Sequence, residues 1–150
     1  MSRCTKEPTG LISGSALRPD GATVIPWSRG RCLAWDVTCP DTLAASHLAG
    51  SAMSACAAAE HAANMKTQKY LAFATTHCFV PIAIETLGAI NAEGLSLLTA
   101  LGGRCIAATS DPRERAFLFQ RLSMAIQRGN VACFSGSLHH DLFFPDPVSA

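Results

Sequence analysis

The alternation of apolar runs and turn signals predicts strands early in the chain. Two apolar runs, at residues 19–27 and 31–38, are separated by a polar turn at 28–30. β-Branched residues in the first run favour a pleated strand, and proline at its end is typical of an edge. The second run is apolar on both faces apart from Asp36, as expected of a central strand. The pattern therefore predicts a β-hairpin.

A long alanine-rich segment follows the hairpin and predicts helix as far as about residue 76. Asp41 is a candidate N-cap, and Gly50 is expected to divide the segment so that Ser51 starts the main helix. A third strand is predicted at 78–84. The order strand, long helix, strand predicts parallel pairing through a right-handed crossover.

The remainder of the chain has a helical pattern. Asn91 is expected to cap a helix over 92–101 that the following glycine pair ends or loosens. A last helix is predicted from about residue 111 to 128, stopped by Gly129-Asn130. The expected fold class is α/β: a restriction-endonuclease-like core with a small mixed sheet flanked by helices, and a helical C-terminal part.

Composition narrows the range of functions. The 150 residues are 49% hydrophobic and 15% charged, which predicts one folded domain rather than a disordered chain. No run of eighteen apolar residues occurs, so a membrane partner is not expected. The net charge of +1 is low for a nucleic-acid-binding protein. The seven cysteines form no Cys-x-x-Cys pair, which argues against zinc and favours reduced thiols in an intracellular protein.

The candidate chemistry begins with two aspartates. A hairpin would bring Asp20 and Asp36 together at one end of the sheet, and paired carboxylates suit a hard cation such as Mg²⁺, which prefers oxygen ligands. A cation held there can generate hydroxide and stabilise charge on a phosphoryl group. The competing interpretation is that Asp36 only accepts hydrogen bonds from a following loop, because buried carboxylates are usually paired.

Basic residues supply the second part of the hypothesis. Lys66 and Lys69 share one side of the predicted helix, where they form a solvated face or reach the metal site. Arg113, Arg121 and Arg128 lie on the last helix, where they contact phosphates or form an ordinary basic face. Lys66 is a candidate for nucleic-acid binding together with these arginines. Both alternatives stay open at the level of sequence.

Three motifs together resemble a known family. Arg18-Pro19-Asp20, Asp36-Val37-Thr38 and Lys69-Tyr70 occur in the order found in the restriction-enzyme-like endonuclease domain of non-LTR retrotransposons, which belongs to the PD-(D/E)XK nuclease superfamily. The resemblance covers roughly residues 7–135. Thr38 stands where the family usually has its lysine. The resemblance therefore implies that Lys69, or less readily Lys66, takes that role.

The resemblance also implies an activity and partners. Asp20, Asp36 and the Val37 carbonyl would hold Mg²⁺ (or Mn²⁺), with Lys69 assisting hydrolysis of a DNA phosphodiester. The nick would prime reverse transcription, so the implied partners are DNA, the element RNA and an upstream reverse transcriptase domain. The implied location is the nucleus. The alternative is a catalytically inactive, transposon-derived remnant that binds only nucleic acid or protein.

The same hypothesis divides the chain into four parts. Residues 1–17 are expected to be an N-terminal loop or short strand of a truncated domain, with a short strand near residue 11. Residues 18–88 are the nuclease core, and 89–130 form a helical extension packing on it. Residues 131–150 show little pattern and are a candidate disordered tail.

Overall fold

The computed structural model of the chain describes residues 4–11 and 16–137. Four strands, four helices and one short 3-10 helix occur in these residues. In chain order they are β1 (Cys4–Lys6), β2 (Gly21–Ser28), β3 (Arg31–Thr38), α1 (Ala45–Met53), α2 (Ala57–Lys69), the 3-10 helix (Leu71–Thr75), β4 (His77–Ala83), α3 (Ala92–Thr109) and α4 (Glu114–Ser137).

The strands form one mixed sheet in the order β1-β2-β3-β4. The first two pairings are antiparallel and the third, between β3 and β4, is parallel. The β2–β3 hairpin and the parallel crossover are therefore confirmed, and so is the α/β class with a small mixed sheet. β1 pairs with the first residues of β2, Gly21 to Thr23.

Each face of the sheet carries its own core. On one face, Ala22 and Ala34 pack against Tyr70 and Phe73, which follow α2. On the other face, Ile82 and Ile84 pack against Leu98 of α3, and apolar side chains of α4 join this cluster. Helices thus cover both sides of the sheet, because its central strands have apolar residues pointing in both directions.

The first helical segment divides later than expected. Ser51 lies inside α1, and the break falls at residues 54–56, where Cys56 has a positive φ of 65°. A buried carboxylate explains the position of the second start: Glu85, at the end of β4, accepts a hydrogen bond of 3.0 Å from the backbone N–H of Ala59. The first turn of α2 is therefore capped from a distant part of the chain rather than by Ser51.

The glycine pair at 102 and 103 does not end α3, which continues to Thr109. A Cβ atom at Gly102 would lie only 3.2 Å from the Cα of Arg115 in α4, so glycine here permits a close helix crossing. Asn91 flanks the start of α3 but does not cap it. Its amide instead accepts from the N–H of Ala83 at 2.8 Å and donates to the carbonyl of Pro81 at 3.2 Å, extending the edge of β4.

The last helix is longer than the sequence pattern indicates. α4 passes through Gly129-Asn130 and continues to Ser137, so residues 131–137 of the expected tail are helical. The Asn130 amide donates a 2.8 Å hydrogen bond to the carbonyl of Thr86, which holds α4 at this point. The rest of the expected tail lies outside the described residues. Near the N-terminus the observed strand is β1, whereas Gly10 and Leu11 are not in a strand and Ile12 lies outside the described residues.

None of the helices in the described part of the chain combines the length and apolar character needed to cross a bilayer.

Two glycine substitutions should have opposite effects on stability. Gly21→Ala would place a methyl group in steric overlap with the indole ring of Trp35. Overpacking of this kind costs about 1–3 kcal/mol. Gly129→Ala meets nothing within 4 Å and replaces a glycine in a helix interior, so it should stabilise by about 0.5–1 kcal/mol. Urea unfolding measures both. A loss of stability in Gly129→Ala would contradict a helix that runs through this residue.

Candidate active site at the end of the β2–β3 hairpin

The hairpin register brings two carboxylates together. Gly21 pairs with Trp35 at the end of the antiparallel ladder, so the preceding Asp20 and the following Asp36 occupy the next position beyond the paired residues. The backbone N–H of Val37 donates a 2.6 Å hydrogen bond to Oδ2 of Asp20, which fixes that side chain beside β3. Asp20 is exposed, whereas Asp36 is buried.

The Asp36 carboxylate is buried with two partners. Only 4% of the residue is exposed. Its Oδ1 atom accepts a 3.1 Å hydrogen bond from the Tyr70 hydroxyl, and its Oδ2 atom forms an ion pair with the ammonium group of Lys66. A buried carboxylate without such partners would cost several kcal/mol. Asp36 is therefore held by residues of α2 and of the turn that follows it, not by a neighbouring loop.

Helical geometry decides which lysine reaches Asp36. Lys66 and Tyr70 are four positions apart, so they project from the same side of the chain toward β3. The Lys66 side chain is 27% exposed, which leaves its ammonium between Asp36 and solvent. The Lys69 ammonium lies 5.1 Å from the centre of the Tyr70 ring. The structure thus places Lys66 on the carboxylate and Lys69 on the neighbouring aromatic ring.

Tyr70 links the two sides of the site. It is 1% exposed, and its hydroxyl also lies 2.9 Å from the carbonyl of Arg18. Burial, followed by the charge of Asp36, its hydrogen bond and the charge of Asp20, raises the pKa of Tyr70 to about 12. The hydroxyl therefore stays protonated and acts as a donor across the physiological range.

The residues before β2 are anchored as well. The N–H of Glu7 donates a 2.8 Å hydrogen bond to the carbonyl of Asp20. Arg18 donates to the Glu7 carbonyl at 3.2 Å and forms an ion pair with its carboxylate. Pro19, between them, is fully buried. The Arg18-Pro19-Asp20 motif is thus a fixed support for the Asp20 carboxylate.

The donor atoms suit a hard divalent cation. Oδ2 of Asp36 is buried, and its partner is the Lys66 ammonium, which lies within hydrogen-bonding distance of it. The N–H and C=O of one strand residue point the same way, so the Val37 carbonyl lies on the Asp20 side of β3. Two carboxylates and a carbonyl fit Mg²⁺, which completes its shell with water. Residues 4–11 and 16–137 contain no cluster of three or more His, Cys, Asp or Glu suited to a metal.

The arginines proposed for nucleic-acid contact lie elsewhere. Arg121 and Arg128 line an open depression of about 580 Å³ along α4, together with Phe117. Arg113 is held by Asp111 through hydrogen bonds of 3.1 and 3.0 Å. α4 packs on the α3 side of the sheet, whereas the Asp36 side chain points to the α2 side. The structure therefore separates these arginines from the carboxylates.

The sequence interpretation did not identify the roles of two other carboxylates. Glu85 is 2% exposed and accepts from the Thr42 hydroxyl at 3.0 Å as well as from α2. Glu60 accepts a 2.7 Å hydrogen bond from the N–H of Ala92, at the start of α3. The sequence does contain a signal for each role. Glu85 follows an apolar strand, and Glu60 lies on a helix of mostly small residues. Each carboxylate accepts a hydrogen bond from a backbone N–H group in the first turn of a helix, where such groups have no partner within the helix.

Comparison with protein-family models, with curated proteins and with solved structures gives no significant match.

Tyr70 is the only tyrosine in the chain, so its ionisation can be measured directly. In the native protein the absorbance of tyrosinate should titrate with a midpoint of about 12, and in denaturant it should return to about 10. Because the pKa of Tyr70 is higher in the folded protein than in the unfolded one, Tyr70 should make its full contribution to the free energy of unfolding below pH ~10. That contribution should be lost as pH rises toward 12. A native midpoint near 10 would contradict the buried hydroxyl, and Tyr70→Phe should abolish the signal.

Lys66 and Lys69 should differ in their effect on stability. Lys66→Met removes the ion-pair partner of buried Asp36 and should destabilise the fold by about 1–3 kcal/mol. Lys69→Met is the matched control, since it removes only an exposed cation near an aromatic ring and should change stability by less than about 1 kcal/mol. Chemical unfolding at pH 7 measures both. Equal effects would argue against the assigned pairing.

Proposed function

We propose that this chain is a metal-dependent endonuclease that hydrolyses DNA phosphodiesters. The observation that carries the proposal is the arrangement of Asp20, buried Asp36 and Lys66. Paired carboxylates beside one ammonium supply both a hard oxygen donor set and a fixed positive charge. The motif resemblance to the PD-(D/E)XK nucleases supports the same chemistry.

Asp20, Asp36 and the Val37 carbonyl are the residues that would hold the cation. A bound Mg²⁺ or Mn²⁺ supplies an activated water and neutralises charge on the phosphate. Without that charge, two carboxylates would repel an anionic substrate, so cation binding and substrate binding are coupled in this proposal.

Lys66 is the catalytic lysine in this proposal. Its partly exposed ammonium lies at the Asp36 carboxylate, where it can stabilise the charge that develops on the phosphoryl oxygens. The resemblance alone favoured Lys69, and Lys66 is preferred on the contact with Asp36. Lys69 remains a candidate for binding DNA beside the site, since its charge is exposed.

Tyr70 is a positioning residue. Its hydroxyl contacts Asp36 and the Arg18 carbonyl, so it fixes the buried carboxylate relative to the segment that presents Asp20. The raised pKa of Tyr70 keeps it from adding a negative charge to the site.

The biological setting is proposed from the resemblance alone. A nick made by this domain would provide a 3′ hydroxyl for reverse transcription of an element RNA, with an upstream reverse transcriptase domain as partner and the nucleus as location.

Nicking of supercoiled plasmid tests the function. The parent chain should nick DNA with Mg²⁺ or Mn²⁺ and not with EDTA. Asp36→Asn and Lys66→Met should each lower the rate at least about 100-fold, and Lys69→Met should lower it far less. Circular dichroism and unfolding curves are needed for each variant, because Asp36 and Lys66 also stabilise the fold. A large loss in Lys69→Met with little loss in Lys66→Met would overturn the lysine assignment.

A second function is favoured by one observation. Arg121 and Arg128 form no ion pair within the described residues and share the depression on α4, as expected of a phosphate-binding face. If the folded parent binds DNA in a salt-dependent way and never nicks it, the chain is the inactive nucleic-acid-binding remnant. In that case Arg121→Ala should weaken binding while Asp36→Asn should not.

A further inference from the structure

Two histidines lie side by side in a cavity lined by residues of α1 and α2. The ring of His47 in α1 and the ring of His61 in α2 have centroids 6.3 Å apart and planes tilted by 60°. The cavity has a volume of about 340 Å³, and its other walls are the small residues Ser46, Gly50 and Ala57 with Ala58. The space beside the two imidazoles is therefore open to a small ligand.

The tautomer of His47 is set by the backbone. Its Nδ1 atom lies 2.9 Å from the carbonyl oxygen of Asp41, and a carbonyl only accepts hydrogen bonds. Nδ1 therefore carries the proton when the ring is neutral, and Nε2 keeps its lone pair. This is the arrangement in which histidines ligate metals, with one nitrogen donating to a carbonyl and the other binding the ion.

We propose that His47 and His61 form a chelating site for a borderline divalent transition metal such as Zn²⁺, Ni²⁺ or Cu²⁺. Two imidazoles on one tetrahedral ion have ring centres about 5 Å apart, given metal–nitrogen distances of about 2.0–2.1 Å. The observed 6.3 Å is about 1 Å longer than this value, and His61 is exposed, so a rotation of its side chain can bring the rings to the chelating distance.

The chemistry of this site differs from that at Asp20 and Asp36. Imidazole nitrogen suits Zn²⁺, Ni²⁺ and Cu²⁺, whereas carboxylate oxygen suits Mg²⁺. The described residues bring no third His, Cys, Asp or Glu to the pair, so water completes the coordination. The site is thus an open, two-ligand site that joins α1 to α2, and it is independent of the proposed nuclease activity.

Ni²⁺ is the appropriate probe. The chain also contains His139-His140 and seven cysteines, which provide background sites. All measurements are therefore made in a His139→Ala/His140→Ala background under reducing conditions, where the thiol contribution is the same for every variant. Calorimetry measures affinity, and paramagnetic broadening of imidazole ¹H signals identifies the ligands.

In this background Ni²⁺ should bind with one saturable site and broaden the signals of His47 and His61 together. His47→Ala and His61→Ala should each weaken binding at least about tenfold, because each converts a chelate into a single ligand. His77→Ala, which removes an imidazole that contacts Thr76 and Phe73 and does not line this cavity, should leave the affinity unchanged.

Two outcomes would overturn the proposal. One is a loss of twofold or less in both single variants, which would mean independent surface imidazoles. The other is broadening of His47 without His61. Ni²⁺ should also raise the midpoint of thermal unfolding in the background protein and not in His61→Ala, since an ion that binds only the folded pair stabilises it.

Discussion

The burial of one negative charge constrains most of this structure. Asp36 lies on the central strand of a four-stranded sheet and is almost inaccessible to solvent. Its charge is tolerable only where Lys66 and Tyr70 meet it, and this fixes the end of α2 over β3. The same tyrosine holds the segment before β2. A requirement of charge burial thus positions three parts of the chain at once: β3, the end of α2 and the segment before β2.

Two further carboxylates organise the helices. Glu85 reaches from the end of β4 to the first turn of α2, and Glu60 of α2 reaches the first N–H of α3. Neither helix has a side-chain cap from its own flanking residue. The N-terminal N–H groups are satisfied through tertiary contacts, so the helices are positioned by the same bonds that complete them. The region around the candidate site therefore has little freedom to rearrange.

β2, β3, β4 and the parallel pairing of the last two were predictable because period and turn chemistry are local properties of the sequence, whereas the first strand was expected near residue 11 and lies at Cys4–Lys6. The pairing of Asp20 with Asp36 followed from the hairpin in the same way. The break between α1 and α2 was not predictable, since it depends on Glu85, which lies far along the chain. The sequence did not show which lysine contacts Asp36, because that depends on where α2 ends relative to β3. The passage of α4 through Gly129 was also missed, because Asn130 is held by the carbonyl of Thr86 rather than by a local signal.

The parallel pairing of β3 with β4 has a consequence for how the chain folds. Cys32 pairs with His77, and every other pair in this ladder spans the same roughly forty-five positions. Closing such a segment costs chain entropy before the ladder repays it, whereas the β2–β3 hairpin and the α3–α4 pair form from near neighbours. The β2–β3 hairpin, which brings Asp20 next to Asp36, can thus form early. Asp36 obtains its partners, Lys66 of α2 and Tyr70, only when the crossover closes, so the charged site is complete only after this long-range pairing has formed.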